Sequence, residues 1–282
     1  MKSLLLDIIP LSGSHTGENL CQAFVQTCDD FGLLTKLLAI TTDNASNNET
    51  LVSHLITVSQ ERSIQFRGSA VHVRCTAHII NLAVQAFLKG MGAEALDDED
   101  AYANQRDIKK QPFVGRLRQL LVKIRGSPQR RERFARHCEV SELVPKQLII
   151  DVRTRWNSTY DMVDRALELR EPLQNMAMVD PDLQRYSLND GEWQRLLNMR
   201  KILHIFKIAT NHLTASSHPT LAIAVPIYNY VLDKLEDYSD SSNKGNFFGS
   251  AIEAAIDKLK SYYINTDIIS VQRRKSLAII FS

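Results

Sequence analysis

The chain has 282 residues, of which 44% are hydrophobic and 23% are charged, and its formal net charge is +2 at pH 7. This length allows one or two domains with a sizeable core, and the near-neutral total excludes a protein that is basic or acidic throughout. No apolar run approaches a membrane span, and the four cysteines show no paired spacing, which favours a reducing, intracellular setting.

Strand and helix patterns alternate over the first 90 residues, which is typical of an α/β layer whose strands are buried on both faces. Apolar runs predict strands at residues 4–9, 37–42 and 71–74. Helical periodicity predicts helices at residues 15–31, 48–59 and 76–88. Thr16 is the expected N-cap of the first helix, and Gly32 marks its exit.

The pattern changes in the second half of the chain. Residues 97–110 form a polar connection, and helices are predicted at residues 112–124 and 127–137, the second with Ser127 as cap and Pro128 in its first turn. A strand is predicted at residues 148–152, after which Asn157 is expected to cap a helix. Beyond it the helical pattern covers residues 158–169, 191–213, 221–235 and 247–263. The change of period predicts a boundary near Asn157, with an α/β region at residues 1–156 and an all-helical region at 157–282.

The predicted strand at residues 37–42 delivers one carboxylate, Asp43, into the polar turn at residues 44–48. A carboxylate at a strand end has its backbone fixed by the sheet, which suits a Mg²⁺ ligand held against a phosphate oxygen. The same residues are also good turn and N-cap chemistry, so a structural role is equally consistent with them.

Cys75 and His78 have the i, i+3 spacing that places two side chains on one face of a helix start. No second Cys/His pair at ligand spacing follows, so a histidine beside a cleft, or one packed in the core, is favoured over a zinc site. Farther along, Arg155 and Trp156 offer a charged fork and a stacking surface, which suit an unstacked base and its phosphate. The alternative for Trp156 is a buried anchor at the domain junction.

The basic residues are concentrated in one stretch. Residues 106–136 contain eleven Lys/Arg against two acids, and the basic helical segment near residues 112–137 holds most of them. Such a density suits a polyanion, although a solvated helix face is the alternative. The candidate nucleic-acid-binding residues here are Lys109, Lys110, Arg116, Arg118, Lys123, Arg130, Arg131 and Arg133.

Five ordered motifs together closely resemble those of hAT-superfamily DNA transposases. They are GSHTGEN at residues 13–19, TTDNASNN at 41–48, CTAHIINL at 75–82, SPQRRERF at 127–134 and TRWNSTY at 154–160. The resemblance covers most of the chain. It implies an RNase H-like catalytic domain interrupted by a large helical insertion, here an incomplete α/β RNase H-like domain followed by an all-α insertion region.

The resemblance also implies a role for each matched position. Asp43 corresponds to the second acid of an Asp-Asp-Glu triad that binds Mg²⁺ in a two-metal site. His78 and Cys75 match a C-x-x-H element beside that site, Trp156 matches the Trp that stacks on a flipped base, and Arg155 would neutralise a nearby phosphate. Asn44 and Asn47 would shape the turn and bond to the metal ligand or its waters.

Other parts of the family pattern are not matched. The first catalytic Asp, the triad Glu, the zinc-binding recognition module and the dimerisation region find no counterpart here, and Asp7 is not expected to substitute. The chain is therefore predicted to be a fragment or domesticated remnant of a hAT-type transposase, catalytically inactive, nuclear, and able to bind DNA weakly and in a salt-sensitive manner. The alternative is part of an active transposase whose missing acids lie outside a mis-bounded gene.

Overall fold

A computed structural model describes residues 5–10, 13–37, 39–64, 72–93, 112–152, 155–214, 221–241, 247–263 and 278–280. The chain folds into two compact units. Unit 1 comprises Met1–Ile80, Thr210–Tyr230 and Leu259–Ser282, and unit 2 comprises Asn81–Ala209 and Val231–Lys258.

Helices dominate the described residues. The first half contains α1 (Gly17–Asp30), β1 (Ala39–Thr42), α2 (Ser46–Glu61), β2 (His72–Arg74), α3 (Thr76–Gly90), α4 (Phe113–Arg125) and α5 (Pro128–Val140). The second half contains α6 (Trp156–Glu168), α7 (Arg170–Val179), α8 (Pro181–Gln184), α9 (Asp190–Leu213), α10 (Leu221–Ser241), α11 (Gly249–Tyr263) and β3 (Ala278–Ile280). Among the described helices, none carries an apolar stretch of the length that spanning a bilayer requires.

The sheet of unit 1 has three strands in the order β2-β1-β3, and both pairings are parallel. In register, Ile40 lies opposite His72 on one side and Ile279 on the other. Ala39 and Ile40 of the central strand are 0% exposed. This burial agrees with the apolar and β-branched composition of β1, because parallel strands are covered on both faces.

Helices α1 and α2 pack together in unit 1 around a hydrophobic cluster. Its buried members include Cys21, Phe24, Cys28, Leu51 and Leu55. Both cysteines are free, and burial raises the pKa of each thiol to about 11, so they behave as small apolar side chains.

The two helices approach closely at Gly17. A Cβ at this position would lie 2.5 Å from the carbonyl oxygen of Asn47 and 2.5 Å from the Cβ of Thr50. The contact is with backbone and a β-branched carbon, so neither can move aside without displacing α2. A glycine is therefore required where α1 begins.

Unit 2 is built around the buried faces of its helices. On α4, Leu117, Leu121 and Ile124 are 0% exposed. The same helix buries one charge, Arg118, whose Nε and Nη2 donate to the two carboxylate oxygens of Asp151, each at 2.7 Å. Thr159 of α6 donates to the same carboxylate at 3.0 Å. This network ties α4, α6 and the segment before α6 together.

Several predicted elements are confirmed. Helices α1 to α6 and α9 to α11 begin and end within a few residues of their predicted limits, apart from the longer C-terminal end of α10. Thr16 caps α1 by accepting from Asn19 N at 3.2 Å, and Ser127 caps α5 by accepting from Arg130 N at 3.4 Å. Gly32 has φ +60°, as expected of a helix exit.

Two predicted strands are wrong. Within residues 4–9, the described residues 5–9 are irregular, and Leu5 and Ile8 are 76% and 80% exposed. Residues 148–151 are also irregular, and Val152 makes only an isolated antiparallel bridge to Arg155. In both cases no neighbouring strand within the described residues covers the apolar run.

Two further differences concern the second half of the chain. Asn157 does not cap α6, because Arg155 occupies the N-cap position and Asn157 lies inside the helix. Helices α7 and α8 and strand β3 were not predicted. The boundary near residue 157 was placed where the hydrophobic periodicity of the sequence changes, whereas the two units are defined by contacts within the fold. The boundary therefore stays a prediction. The predicted polar connection at residues 97–110 lies outside the described residues.

Replacing Gly17 with Ala should destabilise the protein. Since the added methyl would overlap α2 backbone, we expect the free energy of unfolding to fall by about 1–3 kcal/mol. Gly249→Ala is the matched control, because a Cβ there meets nothing within 4 Å, and it should be neutral or slightly stabilising. Urea denaturation measures both. Equal effects of the two substitutions would contradict the close approach at Gly17.

Candidate functional site

Asp43 directly follows β1 and is exposed. Its Oδ1 accepts from the backbone N of Ala45 at 3.0 Å and from Nδ2 of Asn48 at 2.6 Å. These bonds fold the chain back after β1 and start α2 at Ser46. The carboxylate therefore shapes the turn through Oδ1, and within the described part of the chain no group pairs with Oδ2.

The amides predicted to support Asp43 have other positions. Asn47 donates from Nδ2 to the carbonyl of His15 at 2.7 Å, which fastens the loop before α1 to the first turn of α2. The amide atoms of Asn44 are buried and have no hydrogen-bond partner among the described residues. Asn48, which the sequence did not single out, makes the bond to the Asp43 carboxylate.

The end of β2 lies beside the Asp43 turn. The backbone N of Cys75 donates to the carbonyl of Thr42 at 2.8 Å, so the residues that follow β1 and β2 are neighbours at one sheet edge. α3 begins at Thr76, which places His78 in its first turn, partly buried. The structure thus brings together the strand ends that carry Asp43 and Cys75, with His78 at the start of the adjoining helix.

A histidine that the sequence did not predict lies under this edge. Nε2 of His72 is 2.8 Å from Oγ1 of Thr42, and that hydroxyl donates to the carbonyl of Asp43 at 3.0 Å. Burial lowers the pKa of His72, and the neighbouring Arg74 lowers it further, against the opposing effect of Glu49. His72 is therefore a neutral hydrogen-bonding partner of β1 at pH 7.

The sheet edge that carries Asp43 offers few side chains that could bind a metal ion. Among the described residues, no three His, Cys, Asp or Glu side chains are grouped so that they could hold a metal ion. Mg²⁺ prefers oxygen ligands and accepts one or two protein carboxylates plus substrate phosphates. Asp43 Oδ2 fits one such position, and the magnesium site stays a prediction.

Arg155 and Trp156 lie in unit 2. Arg155 is exposed at the N-cap position of α6. Trp156 is only 4% exposed and packs edge to face against Phe206, with ring centroids 6.4 Å apart. The structure places the Trp in the core of its unit, which is the anchoring alternative considered from the sequence.

Three of the predicted phosphate-binding arginines are occupied by internal ion pairs. Arg118 is 8% exposed and held by Asp151, so it is a core residue and not a surface ligand. Arg116 pairs with Glu192 and also donates to the carbonyl of Ser187. Arg130 donates to Asp180 at 3.1 Å and to Asp182 at 2.9 Å. The sequence could not reveal these partners because all of them are distant along the chain.

The remaining basic candidates are more accessible. Arg131 and Arg133 of α5 are exposed, and Lys123 of α4 is partly exposed. Arg133 has an acidic neighbour, Asp180, at 3.7 Å, but half of its side chain is exposed. Lys109 and Lys110 lie outside the described residues.

Comparison with known proteins places these features in a family. A family model described as the ZBED1 RNase-like domain matches residues 1–70, and one described as the ZBED1 RNase-like helical domain matches residues 73–202. The putative transcriptional regulator tpeD of Talaromyces stipitatus is 32% identical over 94% of this chain and 30% of its own length.

Two plant proteins are also similar. The putative AC transposase of Zea mays is 27% identical over 78% of this chain and 25% of its own length. The zinc finger BED domain-containing protein RICESLEEPER 2 of Oryza sativa subsp. japonica is 24% identical over 77% of this chain and 28% of its own length. The chain thus spans less than a third of each of these relatives.

The chain belongs to the hAT-superfamily transposase-like proteins. In this transposase-like chain, Asp43 and the turn around it fall within the RNase-like match. Cys75, His78, the basic helices and Trp156 fall within the RNase-like helical match. The candidate site residues are therefore distributed over both matched regions.

Removing one partner of the buried ion pair should strongly destabilise the transposase-like chain. In Asp151→Asn the Arg118 charge stays buried without a counterion, and we expect the free energy of unfolding to fall by about 3–5 kcal/mol. Asp164→Asn is the control, because its pair with Arg200 is half-exposed and should contribute below about 1 kcal/mol. If thermal denaturation shows similar losses, the Arg118 pair is not the structural link inferred here.

The partly buried His72 should make stability depend on pH. Its pKa in the folded chain lies below the ordinary 6.5, so the unfolded chain takes up a proton at a higher pH than the folded chain. The free energy of unfolding should therefore fall as pH drops through and below 6.5. His72→Gln should flatten this dependence in urea titrations between pH 5 and 8, whereas the exposed-site control His15→Gln should leave it unchanged; the reverse pattern would refute the assignment.

Proposed function

We propose that this transposase-like chain is a nuclear, DNA-binding segment derived from a hAT-type transposase that does not cleave DNA by itself. Its relatives are named as a putative transcriptional regulator, a putative transposase and a BED zinc finger protein, all of which point to work on DNA. We further propose that the β2-β1-β3 sheet, with the helices that follow its strands, is part of an RNase H-like layer.

The observation that carries the DNA-binding proposal is the surface of α5 and the adjoining part of α4. Arg116, Arg118 and Arg130 are held in internal ion pairs, but these two helices still present Lys123, Arg131 and Arg133 as exposed or partly exposed cations. Arginine and lysine side chains that remain accessible can neutralise phosphates and release bound counterions.

The hydrogen bonds of the Asp43 carboxylate support the proposal that the chain does not cleave DNA. Its Oδ1 holds the backbone of Ala45 and the side chain of Asn48, so the turn itself explains why a carboxylate stands there. One carboxylate with a single available oxygen does not hold two hydrated Mg²⁺ ions against a phosphate. In this proposal Asp43 is a structural residue of the turn.

A second candidate function is a part of an active cut-and-paste transposase. The exposed position of Asp43 at the sheet edge, beside the start of α3, favours it. In that case Asp43 would hold Mg²⁺, which would polarise the phosphate. The other carboxylates would come from parts of a longer protein.

DNA binding should be salt-dependent. If three cations contact phosphates, the plot of log Kobs against log salt concentration should have a slope of about −3 for duplex DNA. Fluorescence anisotropy of a labelled 20-base-pair duplex, titrated with the purified chain from 50 to 300 mM KCl, measures it. Absent or salt-independent binding would show that these side chains are a solvated surface.

The same preparation should not nick DNA. Supercoiled plasmid incubated with the chain and Mg²⁺ or Mn²⁺ should remain supercoiled, as it should with Asp43→Asn. Metal-dependent nicking that disappears in Asp43→Asn would establish the active-transposase alternative.

A further inference from the structure

Unit 2 contains a cavity of about 440 Å³ where the end of α4, the middle of α5 and the segment at residues 145–148 meet. Its apolar wall includes the buried side chains of Ile124, Phe134 and Leu148. This volume is within the range of about 300–1,000 Å³ that is usual for ligand pockets. The cavity is therefore large enough to receive a small organic group.

Three cationic residues line the same cavity: Arg125, Arg131 and Lys146. Arg131 Nη1 donates to the backbone carbonyl of Arg125 at 2.5 Å, which fixes its guanidinium at the junction of α4 and α5. Lys146 pairs with Glu168 and keeps 44% of its side chain exposed. Arg165 holds this segment by donating to the carbonyl of Gln147 at 2.6 Å.

The two arginines differ from most others in their unit. Arg116, Arg118 and Arg130 each have a carboxylate partner, whereas neither Arg125 nor Arg131 has one among the described residues. Like charges repel, and the repulsion grows where an apolar wall lowers the local dielectric constant. Two arginines that line one cavity and have no carboxylate partner among the described residues point to an anion supplied from outside.

We propose that this cavity binds one unpaired nucleotide of single-stranded DNA, with its phosphate between Arg125 and Arg131 and its sugar or base against the apolar wall. The guanidinium fork matches phosphate oxygens, and an apolar wall beside it suits the rest of a nucleotide. A base that is paired and stacked in a duplex cannot reach the apolar wall of this pocket, whereas an unpaired base can. The inference rests on the proposed DNA-binding function and adds a specific site to it.

Arg125→Gln and Arg131→Gln test the charge of the site, and Arg136→Gln is the matched control. Arg136 lies on the same helix as Arg131, is exposed and pairs with Glu132, so its replacement removes the same charge from outside the cavity. Ala135→Met tests the cavity itself, because it fills space at the lining without changing any charge. Circular dichroism and thermal denaturation of each variant establish that it is folded.

The probes are a labelled 12-nucleotide oligo-dT, a 20-base-pair duplex and inorganic phosphate. We expect Kd for oligo-dT to rise about tenfold in Arg125→Gln and Arg131→Gln, with the salt slope reduced by about one, and less than about twofold in Arg136→Gln. Ala135→Met should also weaken oligo-dT binding, with the salt slope unchanged.

Each contrary outcome is separable from failure of the proposed function. If wild-type chain binds neither DNA, the DNA-binding function fails. If it binds DNA but the two cavity arginines weaken binding no more than Arg136→Gln, only the cavity proposal is overturned. Arg131 is also one of the cations proposed to contact duplex DNA, so the comparison of duplex with oligo-dT uses Arg125→Gln and Ala135→Met. Equal weakening of duplex and oligo-dT binding by either substitution would overturn the cavity proposal, because the site would then bind a phosphate without an unpaired nucleotide. The same holds if Arg125→Gln changes only the competition by inorganic phosphate.

Discussion

The pairing of β1 along both of its edges is the constraint on which the candidate site of unit 1 depends. Ala39 and Ile40 are fully buried because strands β2 and β3 flank them and helices cover them. In a parallel sheet the carboxyl ends of the strands lie at the same edge, so Asp43 after β1 and Cys75 after β2 become neighbours. The position of the turn therefore follows from the sheet, and the hydrogen bonds of Asp43 then determine its shape.

Unit 2 depends instead on how its carboxylates are distributed. The side chain of Asp151 is 0% exposed, and its carboxylate accepts hydrogen bonds from Arg118 and Thr159. The buried charge of Arg118 is thus accompanied by its counterion. Asp180 similarly accepts from Arg130. These pairings leave the cavity at the junction of α4 and α5 with cations in excess. The same stretch of sequence thus supplies both structural arginines and arginines that can meet an anion.

The sequence predicted the elements whose signals are local. The caps at Thr16 and Ser127 need only neighbouring backbone amides, and β1 is a short apolar run bounded by turn residues. The run at residues 4–9 is equally apolar, but its described part forms no strand. An apolar composition shows only that a segment can be buried, whereas strand pairing depends on residues far away in the sequence. β3 was missed for the same reason: its partner, β1, lies more than 200 residues earlier. Asp43 could be placed from its strand, whereas the burial of Arg118 required knowledge of Asp151.

Trp156 shows how burial constrains a role that the family resemblance implies. A base that stacks on an aromatic side chain gains about 1–3 kcal/mol. Moving a buried Trp into water costs about 4–6 kcal/mol, from the area that it buries and about 25 cal/mol per Å². Stacking alone therefore cannot draw Trp156 away from Phe206, and other contacts with DNA would have to offset the difference. In the described conformation Arg155 can meet a phosphate, because it is exposed at the start of α6 while Trp156 anchors that helix in the core.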